Sequence, residues 1–212
     1  MIPLLHDFAG RRVLIVGGGA VGARKARTFA REAETVVVSP AFADADFGGA
    51  SLVRAAPTPE DADGWVRRVD PALVVVATDR TAVNDAVAAA ARDHGALVNR
   101  ADRSGSREAG GVVVPATVRD DPVVAALATG GTAPALSRYL RQRLESEIDG
   151  AGAMAELLGD VRERLKADEP DPETRREAIL EILESSAVWK HLPEEPDKGR
   201  READRILREV TE

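Results

Sequence analysis

Arg11-Arg12-Val13-Leu14-Ile15-Val16-Gly17-Gly18-Gly19-Ala20-Val21-Gly22 decides the fold of this chain. Val13 to Val16 is a continuous apolar run of strand length, as expected of a parallel strand buried on both faces. The glycines at 17, 19 and 22 have the G-x-G-x-x-G spacing, and Val21 onward reads as a helix. A strand, a tight glycine turn and a helix start together leave unpaired backbone N–H groups that suit a pyrophosphate. Gly17 serves the turn, Gly19 lets a phosphate approach, and Gly22 lets the helix lie on the strand. Ala20 and Val21, at the helix start, complete the expected cofactor contacts of the loop. The plainer alternative is a glycine-rich turn that binds nothing.

Working outward, strand and helix alternate through the first hundred residues. Thr35 to Val38 is the second strand and ends in Ser39-Pro40, where dinucleotide folds carry Asp or Glu about 20 residues past the glycines. Ser39 can still meet a ribose hydroxyl, and no Arg follows directly to receive a 2′-phosphate, so the residues lean toward NAD. Ser51 to Arg54 reads as a short third strand. A helix is expected from Thr58, with Thr58 as N-cap and Pro59 at the first position. Ala72 to Ala77 is an apolar strand ending in Thr78-Asp79. An alanine-rich helix follows over Ala82 to His94, with His94 in a structural place before Gly95, and Ala96 to Asn99 is the next strand. This alternation predicts an α/β, Rossmann-like parallel sheet covered on both faces.

The pattern then changes. Gly111–Pro115 and Pro122–Leu127 are two strand-like runs around an Arg119-Asp120-Asp121-Pro122 turn, which predicts an antiparallel hairpin. A helix is expected from Pro134 to Ile148, with Leu136, Leu140, Leu144 and Ile148 on one face. Beyond Ala151 the chain is charged and helical. Its apolar stripes are Leu157, Leu158, Val161 and Leu165; Ile179, Ile182 and Leu183; and Ile206, Leu207 and Val210, with breaks at 168–172 and 193–199. The expected division is a nucleotide-binding domain over 1–110, a β-hairpin/helix dimerisation segment over 111–148 and a small helical C-terminal domain over 149–212. The hairpin has apolar strands without a partner in a short chain, and an uncovered edge invites association; a homodimer is expected.

Composition narrows the function. The 212 residues carry no Cys, so disulfides, thiolate metal sites and cysteine nucleophiles are excluded. His6, His94 and His191 are far apart in sequence, and no dedicated metal site is expected. The net charge of −7 argues against nonspecific nucleic-acid binding. No apolar run approaches the ~20 residues of a membrane span and no signal peptide is visible; a cytoplasmic, membrane-free protein is expected.

Four motifs make Met1 to about Ile148 resemble the precorrin-2 dehydrogenase module of siroheme synthases. They are VGGGAVGARKA (Val16–Ala26), Ala77-Thr78-Asp79 with Asn84 on the following helix, LVNRAD (Leu97–Asp102) and ATGGTAPALSRYLRQRLE (Ala128–Glu145). The resemblance implies oxidation of precorrin-2, a polycarboxylated tetrapyrrole, to sirohydrochlorin with NAD as hydride acceptor. Asp102 matches the family's essential carboxylate, as general base or as a group that orients the macrocycle; its plainer reading is a turn residue in Asp102-Arg103-Ser104-Gly105. The resemblance also implies cofactor contacts from Thr78 and Asp79 and substrate contacts from Asn99, Thr129, Gly130, Gly131, Thr132, Arg138 and Arg141. Thr132 with Pro134 also reads as a helix cap. Arg100, Arg103, Arg107 and Arg119 lie near the motifs and are further candidates for the substrate carboxylates. Two departures stand out: Arg100-Ala101 replaces apolar residues between the Asn and the Asp, and Gly111–Val114 precedes Pro115-Ala116 where an aromatic is usual. Some members of the family also insert ferrous iron. Two alternatives stay open: a nucleotide-sensing regulatory subunit, and a dehydrogenase of another acidic substrate.

Overall fold

The computed structural model describes residues 2–103, 110–131, 133–168 and 171–211. The chain forms two compact units, Met1–Val114 and Pro115–Glu212. Thr132 and Arg107, both read above as candidate contacts, and Ser104-Gly105 of the Asp102 turn lie outside the described residues.

The first unit is a five-stranded parallel sheet in the order β3-β2-β1-β4-β5. Its strands are β1 (Arg12–Val16), β2 (Glu34–Ser39), β3 (Ser51–Arg54), β4 (Leu73–Val76) and β5 (Leu97–Arg100). The central strand carries the alternation that a two-faced sheet needs. Leu14 and Val16 join Val38, Val74, Val76 and Val98 in a core covered by α2 (Ala62–Val69) and α3 (Thr81–Asp93). Val13 and Ile15 join Val37, Leu73 and Val75 on the other face, covered by Ala23, Ala26 and Phe29 of α1 (Ala20–Phe29). The Rossmann-like expectation therefore holds. The strand order reverses between β1 and β4, and such a switch point opens a crevice beyond the carboxyl ends of the strands, where α/β sheets bind ligands.

Two local expectations in this unit are corrected. The helix expected from Thr58 begins at Ala62; Asp61 is its N-cap and its carboxylate accepts the Thr58 backbone N–H at 2.8 Å. Thr58 is thus held by Asp61 from outside the helix. The run Gly111–Pro115 is no hairpin strand. Gly111 makes a parallel bridge to Val98, the Val112 N–H donates to the Val98 carbonyl at 2.8 Å, and Val112 and Val114 pack on the α1 side of the sheet. The apolar character of that run is consumed by the first unit.

In the second unit the hairpin pairs β6 (Ala116–Asp120) with β7 (Val123–Leu127), Asp120 opposite Val123, around a cis Asp121–Pro122 turn. α4 (Pro134–Glu147) follows, with Ala133 as N-cap and Pro134 in its first turn. None of its residues is buried: Leu140 and Leu144 are half-covered, while Leu136 and Tyr139 are exposed. The remaining helices are α5 (Ala151–Ala167), α6 (Pro172–Glu184), α7 (Ser186–His191) and α8 (Pro196–Thr211). They close a core of Met154, Leu157, Val161, Leu165, Ala178, Ile182, Val188, Ile206 and Leu207. The three expected stripes supply most of it; the break at Ser185, whose hydroxyl caps α7 through the Val188 N–H, was not read from the sequence.

Candidate active site

The glycine turn after β1 is built by exclusion. Gly17 has φ +125°, and a Cβ there would overlap the Ala77 carbonyl at the end of β4. A Cβ on Gly22 would overlap the Gly17 carbonyl oxygen, so the helix approaches the turn only without a side chain. Gly18, outside the spaced motif, is equally confined, with the Ala41 carbonyl, Phe42 and Ser39 around its missing Cβ. Gly19 differs: a Cβ there would meet nothing within 4 Å. Gly19, Ala20 and Val21 are exposed, α1 has no side-chain cap, and no acid lies in its first turn. These features leave a helix N-terminus open to a pyrophosphate. The residues present therefore fit a dinucleotide.

The cofactor candidates on the neighbouring strands lie at the same, carboxyl end of the sheet. Ser39 is buried at the end of β2, and Pro40 beside it is exposed. The β2–β3 register sets Arg54 beside Ser39, and the Arg54 guanidinium donates to the Pro40 carbonyl at 3.2 Å and lies 5.8 Å from the Phe42 ring centre. Reading along the chain missed Arg54; only the sheet register brings it to Ser39. Thr78 follows β4 and is tied to Asn84 of α3 through its backbone and its hydroxyl. Its hydroxyl donates to the Asn84 Oδ1 at 2.6 Å, and the Asn84 amide donates to its carbonyl at 2.8 Å. Asp79 is exposed.

Asn84 is almost fully buried and carries the network to Asp102, where its Nδ2 donates to Oδ2 at 3.0 Å. Arg100, two residues before, grips the same carboxylate with both arms: Nε to Oδ1 at 2.9 Å and Nη2 to Oδ2 at 2.7 Å. Its remaining Nη1 reaches Asp85 Oδ1 at 2.7 Å, and Arg103 Nη2 meets the same oxygen at 2.8 Å. Burial pushes the Asp102 carboxyl up, but hydrogen bonds and charge from Arg100, with help from Asn84, outweigh it and hold the group below the usual carboxylate range. Arg100 is raised in turn, chiefly by its hydrogen bonds to Asp102. Arg100 and Arg103 are thus engaged with carboxylates of this chain and not offered singly to a substrate.

The other candidates are placed differently. Asn99 is buried, and its amide donates to the Val112 carbonyl at 2.8 Å, away from the Asp102 network; its Oδ1 has no partner among the described residues. Thr129, Gly130, Gly131, Arg138 and Arg141 belong to the second unit. There the Thr129 and Ser137 hydroxyls are 2.6 Å apart, Gly130 and Gly131 form the turn before α4, Arg141 pairs with Glu145 at 3.1 Å, and Arg138 is exposed. Arg119 lies 3.7 Å from Asp121. His94 closes α3 and meets Asp63 at 2.7 Å, as expected of a structural histidine.

Comparison with known proteins identifies the family. Residues 4–116 match a family model described as putative NAD(P)-binding. The precorrin-2 dehydrogenase of Methanosarcina barkeri is 32% identical over 213 residues, covering 97% of this chain and 93% of that protein. The siroheme synthase of Azotobacter vinelandii is 35% identical over 214 residues, and the chain spans 43% of its length. Among solved structures, SirC, a precorrin-2 dehydrogenase, superposes with a TM-score of 0.69 at 24% identity, over 100% of this chain and 99% of that one, and supports the fold. With a nicotinamide-cofactor turn, and a relative matched over nearly its whole length, this chain belongs to the precorrin-2 dehydrogenase family.

Proposed function

We propose that the protein oxidises precorrin-2 to sirohydrochlorin with NAD+, in siroheme formation in the cytoplasm. The observation that carries the reading is the pairing, at the carboxyl end of one sheet, of an open glycine turn with a largely covered Asp102 carboxylate held ionised by Arg100. Bound NAD+ supplies the hydride acceptor. The chain's own residues do the rest. Gly19, Ala20 and Val21 present backbone N–H groups to the pyrophosphate. Ser39 takes the ribose side, and Thr78 with Asp79 borders the nicotinamide end. Asp102 orients the macrocycle or accepts the proton lost as hydride departs. For the substrate carboxylates, the family resemblance implies contacts from Thr129 to Thr132, Arg138 and Arg141. Anaerobic incubation with precorrin-2 and NAD+, followed by absorption spectroscopy, tests the reading. Sirohydrochlorin and NADH should rise together, and Asp102→Ala should lose about 10²–10⁴-fold in rate with NAD+ affinity intact. NADH formation near the wild-type rate in Asp102→Ala removes the assignment.

A second cofactor reading has its own observation: Arg54 lies beside Ser39 and can meet a 2′-phosphate. Calorimetry with NAD+ and NADP+ on one preparation separates the two; tighter NAD+ is expected. The half-covered face of α4, with Leu136 and Tyr139 exposed, supports a homodimer. Light scattering at micromolar concentration should return twice the chain mass.

A further inference from the structure

We propose that Arg100 is a positioning residue for Asp102: its guanidinium, strung between Asp85 and Asp102, presents the Asp102 carboxylate to the substrate in one fixed orientation. The inference rests on the reading that Asp102 meets substrate. Arg100 and Asp102 are two positions apart at the exit of β5, where the Ala101 N–H still donates to the Val76 carbonyl at 2.9 Å. The turn that follows the strand brings the two side chains together on one side. The two-armed grip on Asp102 is the fork geometry that fixes direction as well as distance. Side-chain exposures of 9% for Arg100 and 10% for Asp102 set the pair apart from ordinary surface ion pairs. Asp85 on α3 holds the third guanidinium nitrogen, so the fork cannot swing without breaking a second ion pair. Asn84 closes the other approach to Oδ2.

Among the described residues, the charged groups of this cluster are Arg100 on β5, Asp85 on α3, and Arg103 just beyond Asp102, with Asn84 and Thr78 neutral. A carboxylate so surrounded is a weak proton acceptor at neutral pH and a strong, directed hydrogen-bond acceptor. Asp102 thus acts by orienting the macrocycle, and the proton lost during oxidation goes to solvent.

The test uses the full chain with Arg100→Leu and Arg100→Lys. Arg100→Leu should lower kcat/KM for precorrin-2 about 10²-fold, the size of effect that a misplaced reacting group produces, with NAD+ affinity unchanged. The acid limb of the kcat/KM profile should move to higher pH. Carbon-13 NMR of labelled aspartate should show the Asp102 midpoint moving up alongside it. Arg100→Lys keeps the charge without the fork; it should restore the acid limb but only part of kcat, and it replaces Arg100→Leu if that variant fails to fold. Wild-type kcat with an unmoved Asp102 midpoint in the folded variants overturns the inference. If Asp102→Ala is inactive while Arg100→Leu turns over at full rate, positioning alone is lost. If Asp102→Ala itself is active, the underlying reading fails.

Discussion

The glycine turn and the Asp102 cluster lie at the same, carboxyl end of one sheet and are built from opposite materials. The turn is made by leaving side chains out: Gly17, Gly18 and Gly22 each occupy space that a Cβ would fill with backbone or packed side chain. The cluster is made by packing charged side chains together until each satisfies another. The first kind of site tolerates no addition, and the second tolerates no subtraction. A pyrophosphate needs backbone donors at close range, whereas a reacting macrocycle needs a charge held in one direction.

The largest expected effect comes from adding one methyl group to the turn. Gly22→Ala places a Cβ on the Gly17 carbonyl oxygen, between two pieces of backbone that cannot yield separately. Overpacking against a rigid neighbour belongs at the top of its usual range, about 3 kcal/mol, which lowers a melting midpoint by about 6–12 °C at this size. A thermal melt within a degree or two of wild type would mean that helix and turn shift apart cheaply, and the exclusion argument would fall.

Gly19→Val sharpens the contrast inside the turn. The position is extended, at φ −75° and ψ −174°, and open within 4 Å, so the fold should lose no more than about 1 kcal/mol for a poorer cap. The cofactor should be blocked. Calorimetry is expected to show NAD+ affinity down by at least about 10²-fold, about 2.7 kcal/mol. Unimpaired affinity in the folded variant would separate the turn from cofactor binding.

The same contrast explains what the sequence made legible. The strands of the first unit were readable because Val13–Val16 and Leu73–Val76 are buried on both faces and apolar throughout. The glycine spacing was readable because absence of a side chain is itself written in the sequence. The hairpin's first strand was not. Ala116–Asp120 is half polar, while the more strand-like Val112–Val114 packs on the parallel sheet, and a run of residues does not show which sheet takes it. Thr58 looks like a cap because the residues after it suit a helix start, and the Asp61 carboxylate does accept its N–H, but residues 59–61 form a turn and the helix begins at Ala62. Asp102 was legible through family resemblance alone. Arg100 is visible as a departure, but its contacts with Asp102 and Asp85 depend on the turn after β5 and on α3 bringing Asp85 to meet it. Arg54 needed the register of β2 with β3.

The smallest expected effect tests a charge with no ion-pair partner among the described residues. Lys25 follows the turn on α1, half-buried, and its ammonium is pushed down from 10.5 to about 8, first by burial and then by the neighbouring Arg24. The folded state therefore disfavours the charged form, and the unfolded chain binds more protons between pH 8 and 10.5. Stability should rise as pH increases through that window, with the penalty complete below it and absent above it. Lys25→Met keeps the apolar stem and removes the charge. It should stabilise the fold at pH 7 by about 1 kcal/mol after discounting for partial exposure. The difference from wild type should shrink steadily above pH 8 and vanish near pH 11, read as paired thermal melts across the series. A destabilised Lys25→Met at neutral pH would mean that the ammonium has a favourable partner. Lys25 would then belong with the charge-built cluster, not with the turn that it follows.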